Sequence, residues 1–116
     1  MEKLYRLRKN ADFQRVRRQG KTWANKLLVL NVAPNGQDQN RFGFLVSRQV
    51  GKAVVRNRVK RWMREAIRKH RDRMPGGWDV VLIARSPIGK TDFSAVERAV
   101  EQLLRRAHLL QQTKTS

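Results

Sequence analysis

Lys52-Ala53-Val54-Val55-Arg56-Asn57-Arg58-Val59-Lys60-Arg61-Trp62-Met63-Arg64-Glu65-Ala66-Ile67-Arg68-Lys69-His70 is the stretch from which the rest of the chain can be read. Wound as a helix at about 100° per residue, it gathers Trp62, Val55, Ala66, Val59, His70, Met63 and Ile67 into one arc of roughly 140°. The other side is basic: Arg58, Lys60, Arg61, Arg64, Arg68 and Lys69, with Asn57 among them, interrupted by Val54 and Glu65. Such a helix buries one face on a core and turns the other outward. A charge run usually marks a solvated face. Solvated faces mix signs, however, because Glu–Lys pairs at i,i+4 stabilise a helix and like pairs oppose it by about 0.2–0.5 kcal/mol each. Arg56, Lys60, Arg64 and Arg68 repeat at i,i+4 with no acid in the row. Contact with nucleic acid is the reading that row favours.

Composition points the same way. The chain has 116 residues, 27 Lys+Arg against 9 Asp+Glu, and a net charge of +18. That length suits a single domain over residues 1–116, with a modest core. A hydrophobic share of 40% supports a folded protein rather than a basic tail. Self-repulsion from so much positive charge makes sense if the partner is a polyanion. No apolar run approaches the roughly 18 residues of a membrane span. The start, Met1-Glu2-Lys3-Leu4-Tyr5-Arg6, lacks the apolar core of a signal peptide. The absence of cysteine excludes disulfides and thiolate metal sites. A cytoplasmic nucleic-acid binder is the expectation.

Outward from the basic helix, Arg48 to Gly51 forms the turn that leads into it, with backbone amides beside Arg48 and Lys52 in a setting suited to phosphate. Met74-Pro75-Gly76-Gly77 ends the helix by about Arg73. Trp78 to Arg85 is a continuous apolar run, which predicts a central strand buried on both faces. After the loop from Ser86 to Lys90, Thr91 or Asp92 caps a last helix. There Phe93, Val96, Ala99, Val100, Leu103, Leu104 and Ala107 hold helical spacing. Residues 111–116 are polar and expected to be disordered.

On the amino-terminal side, Lys26 to Ala33 reads as a strand with Leu28, Leu30 and Val32 on one side and Leu27, Val29, Asn31 and Ala33 on the other. Pro34-Asn35-Gly36 closes it, and Arg41 to Ser47 is expected to return beside it as an antiparallel hairpin. Gly43 implies a bulge or a close backbone approach. Asn10 fits an N-cap for a helix over Ala11 to Gln19, with Gly20 as its stop. Residues 1–9 form a basic arm with Leu4 and Leu7 as docking points. Phe13 shares a face with Val16 and precedes Arg17 by one turn. It is either plain core or, beside a guanidinium, a platform for an unpaired base. The order α-β-β-α-β-α predicts an α/β (α+β) two-layer sandwich with helices on a mixed central sheet. Base rates favour a right-handed crossover through the basic helix.

Catalytic residues are hard to find. The acids (Glu2, Asp12, Asp38, Glu65, Asp72, Asp79, Asp92, Glu97 and Glu101) are scattered, without Asp-x-Asp or Glu-x-x-His pairing. His70 falls on the apolar arc and His108 near a helix end, where it suits the dipole. No Ser or Thr has a nearby His to activate it. The expectation is a chain with no catalytic residues and no metal site of its own.

Val46-Ser47-Arg48-Gln49-Val50-Gly51-Lys52-Ala53-Val54-Val55-Arg56-Asn57-Arg58-Val59-Lys60-Arg61 resembles, without a gap, the signature of the bacterial ribonuclease P protein subunit, whose core is Arg-Asn-Arg. Chain length, the helix before the match and the strand after it agree with that family. The resemblance implies a left-handed crossover, against the base rate. It implies that a partner RNA carries the chemistry, a magnesium-dependent hydrolysis removing the 5′ leader from precursor tRNA. The protein then binds no cofactor itself, and Mg2+ is held mainly by the RNA. Arg48, Lys52, Arg56, Asn57, Arg58, Lys60, Arg61 and Arg64 fall on the RNA-facing motif, and Arg68 continues its row. Phe13 falls on an aromatic position of a cleft for the single-stranded leader. Arg17 and Asn31 stand where many members have further aromatics, so leader binding is expected to lean on charge. The partners implied are the catalytic RNA and the precursor tRNA leader, with no membrane or DNA, one protein per RNA, and a monomer when free. A ribosomal or RNA-chaperone protein and a DNA-compacting protein are the alternatives. Phosphate contact carries no sequence information, so charge cannot separate these readings. The ungapped match favours the first.

Overall fold

The run Val80-Val81-Leu82-Ile83 is apolar on both of its faces, and it decides the sheet. In the computed structural model, which describes residues 4–110, this run is the middle of a strand with neighbours on both edges. In chain order the elements are α1 (Asn10–Gln19), β1 (Lys21–Ala24), β2 (Leu28–Pro34), β3 (Arg41–Leu45), α2 (Ala53–His70), β4 (Trp78–Ala84) and α3 (Phe93–Arg106). Short 3-10 turns span Arg48–Val50, Arg71–Arg73 and Ser86–Lys90. The sheet has four strands in the order β1-β2-β4-β3. β4 runs antiparallel to β2 and parallel to β3. It is central, as its sequence predicts.

Two expectations are corrected. β2 and β3 are not a hairpin pair, because β4 inserts between them and satisfies one edge of each. Their short connection is instead organised locally by Asn35. Its Nδ2 donates to Gln39 O at 2.8 Å, and its Oδ1 accepts from Gln37 N at 2.8 Å. The second correction is an added edge strand. β1 pairs antiparallel with β2, Trp23 opposite Leu30. It is four residues long and half-buries only Trp23, so it offers no alternation to read.

The two faces of the sheet carry separate cores. Leu28, Leu30 and Val32 of β2, Phe42 of β3, and Val80, Leu82 and Ala84 of β4 pack with Val59, Met63, Ala66 and Ile67 of α2 and Val96, Val100, Leu103 and Leu104 of α3. Fully burying one such side chain contributes about 1.5–3 kcal/mol. Lys69 of α2 reaches Glu97 of α3 at 2.9 Å and lies 5.3 Å from the Phe93 ring centroid, which ties the two helices. On the other face, Val16 of α1 packs with Leu7, Ala33 and Val81, and Phe13, Leu45 and Ile83 border them. The sheet is mixed with helices packed on it, as predicted. α2 and α3 form the helical layer, and α1 lies alone on the opposite face.

Helix ends sharpen the reading further. Asp92 is the cap of α3, accepting from Ala95 N at 2.9 Å. Asn10 is the first residue of α1 rather than its cap, a position Lys9 takes without a side-chain bond. Gly20 ends α1 in an extended conformation, φ −80. It is needed for space, since a Cβ there would lie 2.4 Å from Val16 O and 2.6 Å from Val32 O. The arm docks as expected. Leu7 is buried, Leu4 packs on the larger core, and Arg6 bridges Phe42 in parallel along the free edge of β3. The expected tail at 111–116 lies outside the described residues.

Candidate RNA interface

α2 is set by its apolar arc. Val59, Met63, Ala66, Ile67 and His70 are buried, and Val55 and Trp62 are half-buried, where periodicity places them. Arg48, Lys52, Asn57 and Arg61 are exposed, while Arg56, Arg58, Lys60, Arg64 and Arg68 are half-buried. The basic row is not uniform. Arg56 falls within the apolar arc of the same wheel, and its Nε donates back to Gly51 O at 3.2 Å. Arg58 lies over the Trp62 ring, 5.3 Å from its centroid, a cation–π contact. Arg68 pairs with Glu65 at 2.8 Å. Among the described residues, Arg48, Lys52, Lys60, Arg61 and Arg64 make no ion pair. Burial, then the positive charges of Arg6, Arg68 and Arg61, push the Arg64 guanidinium below its ordinary value.

The entry to α2 adds to this surface. Gly51 has φ 155, and a Cβ there would come within 3.0 Å of Val55, so glycine is required. Lys52 stands at the N-cap of α2 without a side-chain bond, and the first turn carries no carboxylate of its own.

The cleft residues separate into two kinds. Phe13 lies against Gly43, where a Cβ would sit 2.3 Å from the ring, so the glycine marks a close approach rather than a bulge. A hollow of about 400 Å³ is lined by Arg8, Asn10, Phe13, Gln14, Arg17 and Leu45. Arg17 is exposed on its rim. Asn31 does not line it and is only 5% exposed. Its Oδ1 accepts from the Thr22 hydroxyl at 2.7 Å, which pins β1 to β2. The structure therefore brings Phe13 and Arg17 together without Asn31, whose partner comes from β1.

One charged site escaped sequence reasoning. Asp79, at the start of β4, is fully buried. Arg41 grips it with two bonds, Nε to Oδ1 at 2.8 Å and Nη2 to Oδ2 at 2.7 Å. Arg15 of α1 donates to Oδ2, and Asn35 Nδ2 donates to Oδ1 at 3.1 Å. Asp12 stands nearby, 3.7 Å from Arg41. Burial is the largest influence on Asp79 and raises its pKa. The hydrogen bonds from Arg41 and Asn35 and the charges of Arg41 and Arg15 outweigh it, so the carboxyl is held below its usual range. The one signal in the sequence was an acid inside an otherwise apolar strand.

His70 is packed, as its place on the arc predicts. Both ring nitrogens are buried without a partner, and burial pushes its pKa down. Among the described residues no group of three or more Asp, Glu, His or Cys side chains is placed to hold a metal. No described helix is long and apolar enough to cross a membrane.

Comparison with known proteins agrees with this architecture. A family model described as Ribonuclease P matches residues 1–108. The chain is 46% identical over 112 residues to the ribonuclease P protein component of Roseiflexus castenholzii, covering 96% of this chain and 92% of that one. It is 42% identical over 111 residues to the same component of Caldanaerobacter subterraneus, covering 96% of each. The Staphylococcus aureus RNase P protein superposes with a TM-score of 0.87 at 34% identity, over 94% of this chain and 100% of that one. The Thermotoga maritima RNase P protein gives a TM-score of 0.79 at 37% identity, over 87% of this chain and 96% of that one. With residues 1–108 matched by the family model and relatives above 40% identical over nearly its whole length, the chain belongs to the ribonuclease P protein family.

Proposed function

We propose that this chain is the protein subunit of a bacterial ribonuclease P, assisting a catalytic RNA in removing the 5′ leader from precursor tRNA. In this reading the RNA performs the hydrolysis and holds the Mg2+ it needs, and the protein works in the cytoplasm, one copy per RNA. The outer side of α2, with Asn57, Arg58 and Arg61, and the turn before it, with Arg48 and Lys52, face the catalytic RNA, while Lys60 and Arg64 lie on the edge of α2 that borders Phe13. Phe13 and Arg17 receive the single-stranded leader. Basic side chains offset the repulsion between two polyanions that must approach closely. Aromatic stacking on Phe13 adds about 1–3 kcal/mol per base without regard to base identity. Arg17 contributes charge or guanidinium stacking in place of a second ring.

The observation that supports this most is a helix side on which Lys52, Lys60, Arg61 and Arg64 have no paired acid among the described residues, set next to a cleft lined by an aromatic ring. The test is reconstitution with a bacterial ribonuclease P RNA at low magnesium. Adding the protein is expected to raise 5′ cleavage of a precursor tRNA, with an affinity that falls about 10³-fold between 50 and 200 mM salt for some six phosphate contacts. RNA binding without stimulation of cleavage would point instead to a ribosomal or RNA-chaperone role.

A further inference from the structure

Three elements distant in sequence meet at the free edge of β3. The arm runs along it, with Leu7 N donating to Phe42 O at 2.9 Å and Phe42 N donating to Tyr5 O at 2.8 Å. Leu7 is buried beneath α1's side of the sheet. Arg6 is therefore positioned by backbone pairing and by its neighbour's burial, while its own side chain stays exposed. From the other side come Lys60 and Arg64 of α2. Together with Arg6 they line a crevice of about 120 Å³ whose apolar lining includes Phe13, Phe42, Gly43 and Phe44.

The chemistry of this crevice is one-sided. Among the described residues none of the three cations has an ion pair, and no acid lines the space. Arg64 feels Arg6 more strongly than any other charge. Like charges held together with no acid between them repel one another until an anion joins them. The crevice is also much smaller than the 400 Å³ hollow, and Phe13 borders both. One space suits a compact anionic group, and the other suits a planar base.

We infer that Arg6, Lys60 and Arg64 form a phosphate seat for the single-stranded leader, so that one nucleotide's base lies between Phe13 and Arg17 while an adjoining phosphate sits in the crevice. The inference rests on the cleft being the leader site, as proposed above. It makes the amino-terminal arm part of the substrate surface. Arg6 then helps separate precursor from mature tRNA, which has no leader to place there.

Arg6→Gln, tested in the reconstituted holoenzyme, keeps the backbone pairing and removes the charge. Affinity for a precursor with a long leader is expected to fall roughly 3- to 10-fold, with a salt slope lower by about one. Binding of mature tRNA and assembly with the catalytic RNA should be unchanged. Leader phosphates replaced singly by neutral methylphosphonates locate the contact. One position should weaken the wild-type complex by a similar factor and leave the Arg6→Gln complex no weaker. Unchanged precursor affinity would overturn the seat, and so would an equal loss for mature tRNA or for assembly, which would place Arg6 against the catalytic RNA. A wild-type holoenzyme that stimulates cleavage but holds precursor and mature tRNA equally would remove the leader reading beneath it.

Discussion

Arginines gather at two places in this molecule, and the two behave oppositely. At one end of the sheet, Arg15 and Arg41 converge on the buried Asp79, with Asn35 completing its bonds. Along α2 and the arm, Arg6, Lys60, Arg61 and Arg64 stand together with no acid paired to them among the described residues. The first cluster joins α1, β3 and β4, and its charges are matched internally. It is scaffold. The second leaves its charges for a partner to match, and it borders the aromatic cleft. The difference lies in one buried carboxylate, not in the number of bases.

The largest test of this contrast is Asp79→Ala. Removing the shared acid leaves Arg15 and Arg41 with only the more distant Asp12, at 4.0 and 3.7 Å, as counter-charge, and breaking a buried pair costs about 3–5 kcal/mol. Urea denaturation should show a loss of that size, while RNA affinity of the folded fraction changes little. A loss below about 1 kcal/mol would mean that Arg15 and Arg41 are satisfied by water. Gly43→Ala comes next, because its new methyl would collide with the Phe13 ring. Overpacking of that kind costs about 1–3 kcal/mol. Precursor binding should suffer more than assembly with the catalytic RNA.

The unmatched cluster should answer in the reverse way. Lys52→Ala with Arg61→Ala removes two exposed cations. Stability should stay within about 0.5 kcal/mol, while RNA affinity falls roughly tenfold and the salt slope drops by about two. Unfolding of this double variant would show that the outer side of α2 is structural after all.

The smallest effects concern pH. Asp79 has a lowered pKa in the fold, so its contribution is complete above the unfolded value of about 3.9 and is lost as pH falls through the lower folded value. His70 also has a lowered pKa, mainly through burial, with Glu101 and Glu97 opposing and Arg73 and Arg105 assisting. Below about pH 6.5 the unfolded chain takes up that proton before the folded one does, so stability falls as pH falls. A stability titration should therefore decline gently below about pH 6.5 and again in strong acid. His70→Leu should abolish the first decline and leave the second.

Much of the fold was legible because long elements carry their own period. α2, α3 and β4 follow from apolar spacing, and Asp92 caps α3 as one of the two residues proposed. β1 was not legible, since four residues with one half-buried side chain hold no repeat. The partner of Asn31, the Thr22 hydroxyl on β1, was illegible for the same reason. The pairing of β2 with β3 was inferred from a short loop, yet strand neighbours follow from which faces need burial. β4, apolar on both faces, had the stronger need.

Taken alone, the sequence determined the basic side of α2, the aromatic at position 13, the Arg-Asn-Arg signature and the excess of positive charge. Each is a local pattern or a sum, readable without knowing what lies nearby. Only the tertiary structure decided which bases are spoken for. Arg15 and Arg41 find Asp79 across separations of 64 and 38 residues, and Arg6 meets Lys60 and Arg64 through an arm paired to β3. Helical period is set by neighbours along the chain, whereas a charge is balanced by whatever the fold brings within a few ångströms. That is why the scaffold arginines and the RNA-facing ones look alike in the sequence and differ in the molecule.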